Sequence, residues 1–179
     1  MPSNPSTALL PNRLTLAADA FIASNAVLRG DVTVGARSSV WFNAVVRGDL
    51  APVRVGQDTN IQDGAILHVE TEGPVDVGDR VTVGHMAVVH AARVEDDCLI
   101  AIGALVLSGA RIGAGSIVGA GALVKEDWEV PPRSLVLGVP GRVVRQVTEV
   151  EAERVQRNWA VYVQYAAQYR MTEKGGQPG

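Results

Sequence analysis

Residues 94–124 read VEDDCLIAIGALVLSGARIGAGSIVGAGALV, and every sixth residue from Val94 (Ile100, Val106, Ile112, Val118, Val124) is aliphatic. Six is not a helical period, and the valine and glycine content opposes a helix. The same spacing extends back through the chain. Positions 22, 28, 34, 40 and 46 are Ile, Leu, Val, Val and Val. Three extra residues precede Val55, Ile61 and Leu67, four more precede Val77, Val83 and Val89, and the phase then slips back by one to Val94. Glycine follows several of these positions, at 35, 56, 78, 84 and 113. A β-branched residue suits a flat strand, and a neighbouring glycine lets the backbone turn sharply.

Strand-plus-turn units of this length are the signature of a parallel β-helix, whose coils bury their aliphatic residues against one another. The pattern resembles the hexapeptide-repeat type: left-handed, triangular, with roughly 18 residues per coil. The predicted fold is therefore an all-β left-handed parallel β-helix followed by a C-terminal α-helix, in a single domain. The coils are expected over 20–126 and an extended, Pro-rich connector over 127–147. Thr148 and Glu151 form a T-x-x-E capping box, and apolar residues at 152, 155, 159, 162, 163 and 166 carry a helical rhythm. These predict a helix over 148–170 and a mobile tail over 171–179.

Bulk properties narrow the function. The chain has 179 residues, a net charge of −3 and a pI near 5.6. Lys125 and Lys174 are its only lysines, so a nucleic-acid partner is not expected. No apolar run is long enough to span a bilayer, and no membrane partner is expected. The N-terminus lacks the pattern of a signal peptide, and Cys98 stands alone, which points to a reducing, cytoplasmic setting.

All three histidines, His68, His85 and His90, fall within 23 residues. His68 follows inward-facing Leu67 and His90 follows inward-facing Val89. Their 22-residue separation is one coil plus the four-residue insertion. They should stack on successive coils at the roughly 4.8 Å strand spacing, where two imidazoles can share one zinc at about 2.0–2.1 Å each. His85 lies nearly one hexad earlier, around a corner. If it is a ligand, a neighbouring chain must supply it, and a cyclic trimer would do so three times over.

"RGD" at 47–49, "NIQDGAILH" at 60–68 and "GHMAVVH" at 84–90 resemble the γ-class carbonic anhydrases, and the similarity runs from about residue 20 to 170. The resemblance implies a homotrimer that hydrates CO2 to bicarbonate reversibly, with zinc (or another divalent metal such as iron or cobalt) at each subunit interface. It implies that His68 and His90 come from one chain and His85 from the next. Three neutral imidazoles leave zinc its full charge, which lowers the pKa of a bound water to near 7 and makes it the nucleophile. By the same resemblance Arg47 and Asp49 join in an ion pair across the interface. Asn60, Gln62 and Asp63 suit the surroundings of the metal, with Gln62 polarising hydroxide or bicarbonate. Tyr162 would reach the pocket from the terminal helix. The chain departs from the family's best-known archetype in its proton exit. The loop after His68 is short and offers Glu70 and Glu72 out of register, and position 50 is Leu rather than a glutamate. Two alternatives follow: a metal-binding trimeric scaffold with little hydration activity, and a hexapeptide-type acyl-CoA-dependent acyltransferase.

Overall fold

The computed structural model describes residues 9–175. Nineteen short strands precede one helix, Glu149–Gly175. With one exception the strands pair in parallel, each with its counterpart one coil away, so the chain winds as a parallel β-helix of about seven turns. One face stacks Val27–Gly30, Val45–Arg47, Ile66–His68, Val88–His90, Leu105–Val106 and Leu123–Val124. A second runs from Arg13–Leu16 through Val53–Val55 to Glu129–Val130. The third runs from Phe21–Ile22 through Asn60–Ile61 and Thr82–Val83 to Ser134–Leu137. The strand Val45–Val55 turns the corner between the first two faces without interruption.

The hexad positions form the core. All are buried except Ile22 and Leu28, which lie half-buried in the first coil. Alanine precedes them by two residues at 44, 65, 87, 104 and 122, fully or almost fully buried, where a larger side chain would meet its counterpart on the next coil. The residue before each alanine is Asn43, Gly64, Met86, Gly103 or Gly121, and all five have positive φ. Gly64 is required beyond its φ of 69°, because an added Cβ would lie 2.4 Å from Met86 Sδ on the coil above.

The coils continue past residue 126, where the connector was expected to begin. Val130 and Val136 extend the hexad phase, both are buried, and their strands pair with the coil below. Pro131 and Pro132 disguised this turn in the sequence: neither can donate to the ladder, and they sit between the two strands. Only then does the chain double back, as Arg142–Gln146 runs antiparallel to Ser134–Leu137.

The capping box forms as its residues predict. Thr148 N donates to Glu151 Oε2 at 2.9 Å, and Glu151 N donates to Thr148 Oγ1 at 3.3 Å. The helix runs past residue 170 to Gly175, into the stretch expected as tail, while 176–179 lie outside the described residues. It packs on the third face, with Val155 against Ile117, Leu135 and Val147, and Ala166 among Phe21, Trp41 and Tyr162.

Ile100→Ala empties a fully buried hexad position and is expected to cost about 2–5 kcal/mol. Val150→Ala, at an aliphatic residue 71% exposed on the helix, should stay within about 0.5 kcal/mol. Urea denaturation at one fixed protein concentration distinguishes the two.

Candidate metal centre

His90 pairs in register with His68, and His68 with Arg47, so the three form a vertical stack on the first face. Because strand side chains alternate, residues one place after the inward Val46, Leu67 and Val89 point outward. His68 Nδ1 and His90 Nε2 face each other at 3.1 Å. Two nitrogens bound to one tetrahedral zinc at about 2.0–2.1 Å stand roughly 3.3 Å apart, so the pair is already at ligand spacing.

The far sides of the two rings are engaged differently. His68 Nε2 and Asp49 Oδ1 lie 3.4 Å apart, and both are buried without a hydrogen-bond partner. If the His68 proton sits on Nδ1, shared with His90, two acceptors face each other at Nε2 and Asp49. A cation in place of that shared proton frees the His68 proton for Nε2, where it can meet Asp49. The orphaned pair thus fits a metal between the two rings. On the other ring, His90 Nδ1 lies 3.0 Å from Ser108 Oγ, whose hydroxyl donates to Glu70 Oε1 at 2.7 Å.

Burial pushes the His68 pKa down, and the charges of Arg47 and His90 add to this against the pull of Asp49. The ring is held neutral, the form that binds metals. Burial raises the Asp49 pKa, but the hydrogen bond and charge of Arg47, 2.5 Å away, outweigh it and keep the carboxyl below its ordinary value. Arg47 and Asp49, expected to meet across an interface, pair with each other within the chain. Their corner depends on Gly30: at a φ of +83° it lies so close to the coil above that an added Cβ would stand 2.0 Å from Gly48 O. A second "RGD", at 29–31, begins in register beneath the first, Arg29 under Arg47 and Gly30 under Gly48, but the register shifts after Gly30. Its Asp31 is held by Arg13 and Arg54 rather than by its own arginine.

His85 sits apart, on the turn between Thr82–Val83 of the third face and Val88–His90 of the first. Among the described residues of one chain, no three His, Cys, Asp or Glu side chains converge as a metal site. His85 Nδ1 lies 3.0 Å from Asp63 Oδ2, and its Nε2 lies 3.5 Å from the Tyr162 hydroxyl of the terminal helix. Burial raises the Tyr162 pKa, with smaller contributions from the charges of Asp63 and Tyr165, so the phenol stays protonated. Gln62 and Asn60 are buried and committed: Gln62 Nε2 donates to Asn60 Oδ1, Asn60 Nδ2 to Thr82 Oγ1, and Gln62 Oε1 accepts the His85 backbone N–H at 3.2 Å. Within the chain these two amides anchor the turn that carries His85.

Glu70 opens a tight turn closed by reciprocal backbone hydrogen bonds with Gly73 (3.0 and 3.2 Å), and Glu72 lies at its centre. Glu70 is engaged by Ser108, whereas Glu72 is exposed and has no hydrogen-bond or ion-pair partner among the described residues. Ser108 was not foreseen in the sequence. The 18-residue spacing from His90 hints at it, but the coil here is one residue short, so only the corner geometry brings its hydroxyl to the ring.

A coiled stack of hexads that holds two stacked histidines on its outer face defines a hexapeptide-repeat protein. The bacterial transferase hexapeptide family (six repeats) matches residues 91–126. The chain is 42% identical over 159 residues to a carbonic anhydrase of Geobacillus kaustophilus, covering 89% of this chain and 87% of that one. It is 37% identical over 120 residues to the mitochondrial gamma carbonic anhydrase 2 of Arabidopsis thaliana, covering 64% of this chain and 43% of the relative. A crystal structure of a hexapeptide transferase family protein from Anaplasma phagocytophilum superposes with a TM-score of 0.85 at 32% identity, over 90% of this chain and 98% of that one. The protein belongs to the γ-class carbonic anhydrase family.

Cys98 lies outside the site, buried in the core, where burial pushes its thiol up to about 12. It should therefore resist alkylation by iodoacetamide at pH 8 in the native protein and react at the ordinary thiol rate once unfolded in urea. Mass spectrometry of both samples checks this.

Proposed function

We propose that the protein is a homotrimeric, zinc-dependent carbonic anhydrase that interconverts CO2 and bicarbonate at the interfaces between its subunits. The observation that carries this reading is that each of the three histidines has a carboxylate behind it: Asp49 at His68, Asp63 at His85, and Glu70, through Ser108, at His90. Imidazoles that ligate metals are oriented this way, with the distal nitrogen held by an acid so that the other presents its lone pair.

Support for the trimer comes from the surface beside the histidines. Val27, Val45, Ile66, Val88, Leu105 and Leu123 stack in register as an outward aliphatic ladder on the first face. Val27, Ile66 and Leu105 are exposed in the single chain. Ile66 and Val88 stand two residues before His68 and His90, on the same side of their strands. A second copy that covers the ladder therefore meets the histidine pair, and its His85, carried at a corner, is the third nitrogen that the pair lacks. A cyclic arrangement repeats this contact three times.

A divalent ion held by His68, His90 and His85 of a second copy would act as a Lewis acid that makes water nucleophilic near neutral pH. The chain's residues do the rest. With an ion bound, Asp49 and Asp63 would hold protons at His68 Nε2 and His85 Nδ1. Tyr162 stands beside His85 with its hydroxyl protonated, a donor for an oxygen of the substrate. Forming the new C–O bond of bicarbonate releases one proton, and the free carboxylate of Glu72 is the acceptor that carries it to bulk buffer. Leu50 offers no second acid and Glu70 is engaged by Ser108, so export runs through this one uncommitted carboxylate. We place the protein in the cytoplasm, where a free, buried thiol is stable. An acyltransferase reading has in its favour the shared fold and the transferase names that the matching family and the similar Bacillus cereus and Anaplasma phagocytophilum structures carry, but neither accounts for three histidines each backed by a carboxylate. The scaffold reading gains weight only if the metal-loaded trimer proves inactive.

Metal should load at one ion per chain in a trimer, read by light scattering and elemental analysis. His85→Ala and His90→Ala should each abolish loading. Subunits of the two variants, mixed and reassembled, should recover loaded sites, because some interfaces then combine an intact pair with an intact His85. Recovery of none would sink the shared site.

Stopped-flow hydration should show kcat limited by proton export. Glu72→Gln is expected to lower kcat several-fold in dilute buffer, leave kcat/KM nearly unchanged, and regain its rate on addition of imidazole. A kcat insensitive to both changes assigns export elsewhere.

A further inference from the structure

We propose that Ser108 is a positioning residue for His90, handing the hydrogen bond of His90 Nδ1 on to the Glu70 carboxylate and so keeping His90 Nε2 bare toward His68. The inference deepens the metal-centre reading and rests on it for its purpose, though not for its geometry. A serine hydroxyl has one proton to give. Here it goes to Glu70 Oε1 at 2.7 Å, the shorter of the two contacts and the one to a charged acceptor. The lone pairs of Ser108 Oγ are then what His90 Nδ1 meets at 3.0 Å, so the ring must donate there. A neutral imidazole has one N–H, and with that proton on Nδ1 the nitrogen facing His68, Nε2, is an acceptor.

The hydroxyl is needed because of distance. Asp63 reaches His85 directly at 3.0 Å, but Glu70 Oε1 stands 3.7 Å from His90 Nδ1, beyond a hydrogen bond. Coil spacing explains how Ser108 fills the gap. Val89 lies opposite Val106, so this coil is one residue short and Leu107, not Ser108, is level with His90. Ser108 therefore falls past the end of its strand, at the corner, beside the outer edge of the ring. Both ends of the relay are pinned through their backbones: Ser108 O accepts Asp127 N at 2.9 Å, and Glu70 is locked to Gly73. Glu70, held in this way, acts on His90 rather than as a free proton carrier, which leaves export to Glu72.

Two readouts test the relay, one of them independent of metal. In the metal-free protein at a pH where the rings are neutral, long-range proton–nitrogen correlation spectra should show His90 protonated on Nδ1. Ser108→Ala should shift it toward the Nε2–H tautomer, and Ser108→Thr, which keeps the hydroxyl, should restore it. Competition with a chromophoric chelator should show zinc held about 10–100-fold more weakly by Ser108→Ala, with recovery in Ser108→Thr. Glu70→Ala removes the other end of the relay from an exposed position and should move both readouts the same way, which covers the case of a Ser108 variant that does not fold. An unchanged tautomer and a zinc affinity within twofold of the parent in either alanine variant would overturn the proposal. If the parent protein binds no zinc at all, the metal-centre reading fails, and the tautomer of His90 still decides the relay.

Discussion

The backbone ladder between successive coils is the constraint on which everything else hangs. Each strand donates and accepts along the solenoid axis, so a residue meets its counterpart about one coil away and little else. Inward positions can then hold only side chains that tile one above another at the strand spacing, and valine and isoleucine do this without losing much rotamer freedom. At the corners the same stacking leaves room for a methyl group or nothing, hence the alanines at 44, 65, 87, 104 and 122 and the tight approach of Gly64 to Met86.

Function is written on the outside of this ladder because the outside is where identity can vary. The stack Arg47, His68, His90 occupies equivalent outward sites on successive coils, and only the insertions between coils adjust what surrounds it. The three extra residues before Val55 let the strand Val45–Val55 turn the corner with Asp49 brought back against His68. The four extra residues before Val77 form the turn that presents Glu70 and Glu72. A single missing residue between Val89 and Val94 shifts Ser108 to the edge of His90. Each departure from the repeat places an acid or hydroxyl beside an imidazole.

Electrostatically the site is arranged to keep the buried His68 ring neutral. His68 is depressed by burial and by Arg47, while that same arginine keeps Asp49 ionised. The unpaired His68 Nε2 and Asp49 Oδ1 are the buried side-chain polar atoms that remain unsatisfied among the described residues, and such atoms are rare without a functional cause. They border the two nitrogens that stand at metal-ligand spacing.

How much of this was open to reading from residues alone follows from what each feature depends on. The hexad is a local statement: a six-residue strand and turn repeats in the chain as it repeats in space, so the coils, the histidine stack and the capping box of Thr148 and Glu151 could be inferred by counting. The last coil was hidden because Pro131 and Pro132 mask a phase that Val130 and Val136 keep. The in-chain uses of Asn60 and Gln62, the pairing of Arg47 with Asp49 and the reach of Ser108 to Glu70 were hidden for a different reason. They depend on side-chain directions at corners, where a positive φ, an insertion or a one-residue slip redirects the chain. Period alone determined which residues share a face; only the folded coils decided which atoms on that face touch, because contact distances of about 3 Å are set by corner geometry that no spacing in the chain records.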